Sequence, residues 1–341
     1  MNTRKERSSP ARAGLTAQAA RLGAAVLLWA CAGAGTAFAH HGGEYPAHPI
    51  RMVSPYPPGG PVDTFGRLVA NKASEALKQT IVFENRPGAS GLIAGEHVAK
   101  SAGDGYTLLV SVPSLFTIVP HMIEGASARI EGLVPVAQFA VAPLVLVVHP
   151  SVEAKNVKEL VSLLKAPSAT LDYASAGNGT LPHLAMELLL ASVNGKAVHV
   201  PHKGSGPAAA DLVGGQVKAM MDNMSSSLPH ARSGKLRALA VTSGKRFAGA
   251  PDIPTLAESG VEGYEVNNWF GVFAPAGTPA AVVEKLNGVF AKAAFAPDVS
   301  QRLGELGAVP VSPKPAEISA LIKRESEQWG RIIRRAGIKR N

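Results

Sequence analysis

From residue 50 onward, short apolar runs alternate with stretches whose apolar residues recur every three or four positions, and Gly- or Ser-rich loops separate them. Residues 50–53, 80–83, 107–110, 171–174, 197–200, 217–221, 236–241 and 269–273 have the length and the β-branched or aromatic content of strands. Residues 144–148 are apolar at every position, the pattern of a strand buried on both faces. Helical spacing predicts helices over 62–77, 92–100, 157–164, 182–192, 208–213, 280–294, 299–306 and 316–335. In the first, Phe65, Leu68, Val69, Ala73 and Leu77 share one face. This alternation predicts an α/β protein with largely parallel sheets. The pattern runs twice, which predicts two lobes joined by a two-strand hinge. The first lobe takes 49–147, the second 148–265, and 266–341 return to the first and end in helices. The crossings fall near Val148 and Val266.

Five of the loops lead from a strand into a helix: 54–61, 86–91, 175–179, 201–206 and 222–226. In open α/β sheets, ligands bind where strands end and helices begin. A helix N-terminus there offers free N–H groups and a partial positive charge, which suits a small acid. In the first loop the candidates are Tyr56, Pro58, Gly59 and Gly60, because adjacent glycines let a ligand reach the backbone. Asp63, in the first helical turn, serves either the helix end or the ligand. Ala89 and Ser90 repeat the logic, with Ser90 as helix cap, ligand donor or both. Ser111 and Ser114 are further candidates after the third strand. Ser175, Gly177, Asn178 and Gly179 form the counterpart in the second lobe, with Thr180 as the helix cap. His183 either meets the ligand or packs the hinge. His202 and Lys203 follow, Lys203 being either solvated or a counter-ion for a carboxylate. Asp222-Asn223 faces the cleft or caps the next helix, and Trp269 forms an aromatic wall or packs the hinge.

The chain has 341 residues, enough for two ordinary domains, and 46% are hydrophobic but only 5% aromatic, so Ala, Val and Leu must do most of the packing. The first 39 residues hold Arg4, Lys5, Arg7, Arg12 and Arg21 against Glu6, which leaves +5 of the total +9 for the rest. No run of five or more basic residues follows, so no nucleic-acid partner is predicted. That basic start, the apolar stretch 22–31 and Ala37-Phe38-Ala39 read as a secretory signal cut after Ala39, which places the protein in the periplasm. The stretch is too short and Gly-rich for a membrane span. Cys31, the only cysteine, leaves with the signal, so the mature chain has no disulfide. The alternative is a lipoprotein cut before Cys31, with bulky Trp29 standing where a small residue is expected. Residues 40–48 read as a flexible leader. Its His40, His41, Glu44 and His48 are the one metal-capable group, and no metal or cofactor is assigned. The chain has no Gly-x-Ser-x-Gly, His-Glu-x-x-His or Walker motif. It therefore reads as a binding protein and not an enzyme, with a Ser-dependent hydrolase as the rival.

Seven segments in order, 55–63, 84–91, 104–109, 173–179, 183–185, 214–217 and 273–279, resemble the Bug family of exported solute receptors. These are the binding components associated with tripartite tricarboxylate transporters. The resemblance runs from Tyr45 to Lys339. It implies a type II periplasmic-binding-protein fold whose lobes close on a small carboxylate, held by loop N–H groups, hydroxyls and water. It also implies delivery to the transporter's membrane subunits, or alternatively to a signalling partner. Nothing in the sequence demands more than a monomer. The family's Pro-Tyr-Lys-Gly stands here as Pro201-His202-Lys203-Gly204, and Met221 replaces the Phe before Asp222-Asn223. Residues 127–132 depart from the family's Tyr-Asp-Pro-containing stretch.

Overall fold

The structure, a computed structural model, describes residues 45–166 and 171–338. The secretory signal and most of the leader, with Cys31, His40, His41 and Glu44, lie outside the described residues. The chain opens with β1 (Ile50–Ser54), α1 (Pro61–Leu77), β2 (Ile81–Asn85), α2 (Leu92–Ala99) and β3 (Thr107–Ser111). Short helical turns at Ser114–Thr117, Val119–Met122 and Ala126–Ile130 lead into β4 (Leu133–Val148). Next come α3 (Val157–Lys165), β5 (Asp172–Ser175), α4 (Leu181–Val193), β6 (Val198–Pro201), α5 (Ser205–Val213), β7 (Ala219–Asn223), α6 (Met224–Arg232) and β8 (Arg237–Val241). The chain ends with β9 (Asn267–Pro275), α7 (Ala280–Phe295), α8 (Pro297–Glu305), β10 (Val309–Pro310) and α9 (Pro315–Ala336).

The strands run in the order β2-β1-β3-β9-β4-β7-β5-β6. The expectation of largely parallel sheets needs correction. Pairing is parallel within β2-β1-β3 and within β7-β5-β6, but β9 and β4 between them are antiparallel to each other and to their outer neighbours. β4 is the shared element. Leu133 to Pro143 pair with β9, while Leu144 to Val148 pair with β7 and Val145 to Val148 with β8 on the other side. The partner change thus falls between Pro143 and Leu144.

Successive strand residues point to opposite faces, and here both faces are covered. Leu144, Leu146 and Val148 enter one apolar cluster with α4, while Val145 and Val147 enter another with α5. In the same way Leu108 and Val110 pack with α1 and α7, and Leu109 packs with α2. Helix α9 spans the join. Its Leu321 and Ile322 pack beside Trp269, and its Trp329, Ile332 and Ile333 pack into the α4 cluster. The described end of the leader is tied down: Tyr45 Oη donates to Gly105 O at 2.6 Å, and the His48 ring stacks on Tyr106 at 3.6 Å.

Candidate functional site

The first strand–helix loop is fixed from behind by Asp63. Gly60 is the extended cap of α1 and Pro61 takes the first helical position, where its missing N–H costs nothing. The Asp63 carboxylate is buried and accepts from Gly59 N at 3.1 Å, Arg67 Nε at 2.9 Å and Asn85 Nδ2 at 2.9 Å. Asn85 Nδ2 also donates to Tyr56 O at 2.9 Å. Burial pushes the carboxyl up, but the bonds from Asn85, Gly59 and Arg67 outweigh it and hold its pKa below the usual range. Asp63 is thus spent on shaping the loop.

In the second loop Ala89 and Ser90 both take left-handed backbone, with φ of +46° and +57°. For residues with a Cβ this costs about 1–2 kcal/mol each, and such strain gathers at binding sites. Ser90→Gly is expected to leave stability equal or up to about 1 kcal/mol higher, since glycine adopts this backbone freely. Ligand affinity should fall several-fold with the lost hydroxyl. Urea unfolding and titration calorimetry read the two effects separately, and unchanged affinity would remove Ser90 from the site.

The loop after β5 rests on a pair of stacked histidines. The His183 and His199 rings lie 3.7 Å apart at 10°. His183 Nδ1 accepts from Gly179 N at 3.1 Å, and His199 Nε2 meets Ser175 Oγ at 2.7 Å. Ser175 Oγ also accepts from Gly177 N at 3.1 Å. Burial, then the neighbouring ring, lowers His183 to about 3; burial, then His202, lowers His199 to about 4. Both rings are therefore neutral at ordinary pH.

A cavity of about 320 Å³ lies among these loops. Tyr56, Ser90 and Ser114 line it from one side, with Asn178, Gly179 and Asn223 from the other. Burial raises the Tyr56 phenol, which stays neutral with its Oη 3.4 Å from Ser114 Oγ, either hydroxyl able to donate. A second cavity, of about 420 Å³, shares Ser205 and Asn223 with the first and is also lined by Gly59, Thr64, Ser225 and Ser226. No charged side chain lines either cavity among the described residues. The first turns of α1, α4, α5 and α6 do line them, through Pro61, Leu181, Ser205 and Ser225. Among the lining groups, the helix N-termini are thus the source of positive potential.

Tyr56, Gly59, Ser90, Ser114, Asn178 and Gly179 line one or the other of these cavities. Pro58, Gly60, Ala89 and Gly177 belong to the loops without lining either cavity. Several expectations need correction. Ser111, Ser175, His183 and Asp222 are buried behind the surface they were expected to form, at 4% exposure or less. Asp222 accepts from Ser227 Oγ at 2.7 Å, and burial raises its pKa against that bond. Trp269 is buried on the far face, its Nε1 donating to Glu325 Oε2 at 3.1 Å, so it is no wall of this cleft. His202 is occupied by Asp211, at 2.8 Å, and by the Val200 carbonyl. Lys203 is exposed and lines neither cavity. Thr180, expected as a helix cap, makes no side-chain cap; its hydroxyl donates to Gly177 O at 2.8 Å and it lines the cavity. Sequence reasoning missed Val112, Ser205 and Asn268 as lining residues, while of the pair Asp222-Asn223 it is Asn223 that lines the cavities.

The family profile described as Tripartite tricarboxylate transporter family receptor matches residues 65–338. Protein BugT of Bordetella pertussis is 37% identical over 303 residues, 86% of this chain and 91% of its own length. Among solved structures, Rpa4515 of R. palustris with adipate superposes with a TM-score of 0.75 at 33% identity, covering 87% of this chain and 99% of that one. MatC of Rhodopseudomonas palustris with bound malate gives a TM-score of 0.71 at 33% identity, covering 85% of this chain and all (100%) of that one.

Proposed function

The chain belongs to the tripartite tricarboxylate transporter receptor family, the Bug receptors, and has the two-lobed type II periplasmic-binding-protein fold; from that premise we propose that it captures a small carboxylate in the cleft described above and delivers it to a tripartite membrane transporter. The observation that carries this reading is the convergence of four helix N-termini on two cavities that share Ser205 and Asn223 and that, among the described residues, no charged side chain lines. Such a site favours an anion without fixing it by a single cation. Two relatives of similar sequence hold adipate and malate, both small carboxylates. The lobes of this reading are those of the sequence, with the sheet changing inside β4 and again ahead of β9. Closure by a hinge then brings the loops of both lobes onto one ligand.

The reading includes no catalysis. The Ser175–His199 contact has the atoms of a nucleophile and its base, but Ser175 is 0% exposed and its oxygen is engaged with the Gly177 N–H. A base lowered to about 4 is also a poor proton acceptor at neutral pH. The family's receptors are periplasmic, and the reading has this chain cut after Ala39; the intact mass of the exported protein fixes that cut. The test of function is thermal unfolding of residues 40–341 against malate, adipate, citrate, hexanoate and benzoate. A ligand of the folded state must raise apparent stability, by about 2.7 kcal/mol at a hundredfold excess over Kd. A well-folded protein unmoved by every acid would sink the proposal.

A further inference from the structure

Two stretches that line the cleft cavity are held from outside it by one step of α9. Asn268 lines the cavity, and the next residue, Trp269, is buried with its Nε1 donating to both Glu325 oxygens, at 3.2 and 3.1 Å. Val119 and Met122 line it too, and between them His121 Nε2 lies 2.9 Å from Ser326 Oγ. Glu325 and Ser326 are neighbours in α9. One turn further on, Gly330 leaves room for the His121 ring, since a Cβ there would come within 2.7 Å of it. The turn Val119–Met122 cannot fix itself, because a single helical turn costs more to order than its hydrogen bonds return. Its position comes from what it packs and bonds against. Met122 packs with the α4 cluster that also takes Trp329, Ile332 and Ile333 of α9, and Val119 packs with the cluster that takes Leu321 and Ile322. Across the cleft, Met122 Sδ lies so close to Gly179 of the facing loop that no Cβ would fit there.

We infer that Glu325 and Ser326 are the positioning residues of the cleft: Glu325 fixes the strand that carries Asn268, and Ser326, through His121, fixes the turn that carries Val119 and Met122. Groups already held in the bound geometry cost less to order when the ligand arrives, and supporting contacts behind a site supply that hold. Neither residue touches the ligand, so each acts on affinity through its partner. The inference rests on the cleft being a carboxylate site, as proposed above, and adds what keeps its lining in place.

The test is calorimetric titration of the mature chain, beside urea unfolding, with whichever of malate, adipate, citrate, hexanoate and benzoate binds the parent most tightly. Ser326→Ala removes the partner of His121 and should weaken binding about three- to fivefold, the worth of one hydrogen bond. Alanine is the better helix former, so its urea midpoint should hold or rise. Ser326→Thr keeps the hydroxyl at a lower helix propensity, so it should keep the parent's affinity with a lower midpoint. In these two variants affinity and stability therefore move in opposite directions, which a merely structural role for Ser326 does not produce. Gly330→Ala pushes the His121 ring off Ser326 and should weaken binding as much as Ser326→Ala does. The double variant should lose no more than either, because both break one contact. Glu325→Ala should weaken binding at least about fivefold, and Glu325→Gln, which keeps an acceptor for Trp269 Nε1, less than about twofold. Either Ser326→Ala or Glu325→Ala binding as tightly as the parent, or affinities of the two Ser326 variants that follow their midpoints, overturns the inference and leaves the carboxylate site standing. Failure of every acid to bind the parent overturns both.

Discussion

Replacement of Asp63 by alanine is expected to cost about 3 kcal/mol of stability and at least about tenfold in ligand affinity. The carboxylate is acceptor to three donors at once: Gly59 N, Arg67 Nε and Asn85 Nδ2. Charge-assisted bonds of this kind are individually worth about 1.5–3 kcal/mol. The Arg67 side chain is 43% exposed, so water takes over part of its share and the whole sum is not lost. Asn85 would keep its bond to Tyr56 O but lose its second anchor. Tyr56 and Gly59 line the two cavities, so the same substitution that weakens the fold also loosens the site. Asp63→Asn separates charge from shape, since it retains one acceptor and removes the negative charge. The effect has a defined pH sign. Because the folded-state pKa is lowered, the Asp63 contribution is complete above the unfolded value near 4 and is lost as pH falls through the folded value. Urea unfolding of the parent and Asp63→Asn should therefore differ at pH 7 and converge toward pH 2. Identical midpoints at pH 7 would show that the triple contact carries no net stability.

How much of this site the sequence could reveal depends on parity along strands. The loops were legible because Gly, Pro and Ser mark them, and several of the expected residues do line the cavities. The errors often fall one residue away from the mark. Val112 lines the cavity where Ser111 was expected, Asn268 where Trp269 was expected, and of the expected pair Asp222-Asn223 only Asn223 does. Neighbouring strand residues face opposite sides, so a one-residue choice sends a side chain to the core instead of the cleft. Chemical attractiveness misleads here, because a buried Asp or Trp looks more functional than the Asn beside it. The first half of β4 was missed for a different reason. Pro135, Gln138 and Pro143 interrupt its apolar run, and its pairing with β9 shifts register between Pro135 and Ala137 and again between Gln138 and Ala140. The turns between 114 and 130 are of four or five residues, too short to show a helical period, yet they supply the apolar wall with Ile118, Val119, Met122 and Ile123. The buried histidine stack was out of reach because His183 and His199 meet only through tertiary packing.

That stack makes the second-lobe loop sensitive to acid, and His183→Gln is expected to flatten the dependence of stability on pH below neutrality. His183 is 4% exposed and its folded-state pKa is lowered to about 3, first by burial and then by His199. The unfolded chain takes up this proton near pH 6.5, while the folded chain resists it down to about pH 3. In that window protons bind the unfolded state, so stability is complete above pH 6.5 and falls by about 1.4 kcal/mol per pH unit below it. At pH 4.5 the His183 share of the loss is about 2–3 kcal/mol, and His199, also lowered by burial, adds to it in the same direction. The structural consequence is local. A proton on His183 Nδ1 removes the acceptor of the Gly179 N–H, and Gly179 lines the cavity beneath Met122. Because the folded chain takes up this proton only near pH 3, ligand affinity should hold from pH 7.5 to 4.0 while stability falls. Glutamine offers a carbonyl oxygen to the same N–H and has no proton to gain. Urea midpoints measured from pH 7.5 to 4.0 should fall steeply for the parent and more gently for His183→Gln. Parallel curves would mean that His183 titrates equally in both states and that the stack has no hold on the loop.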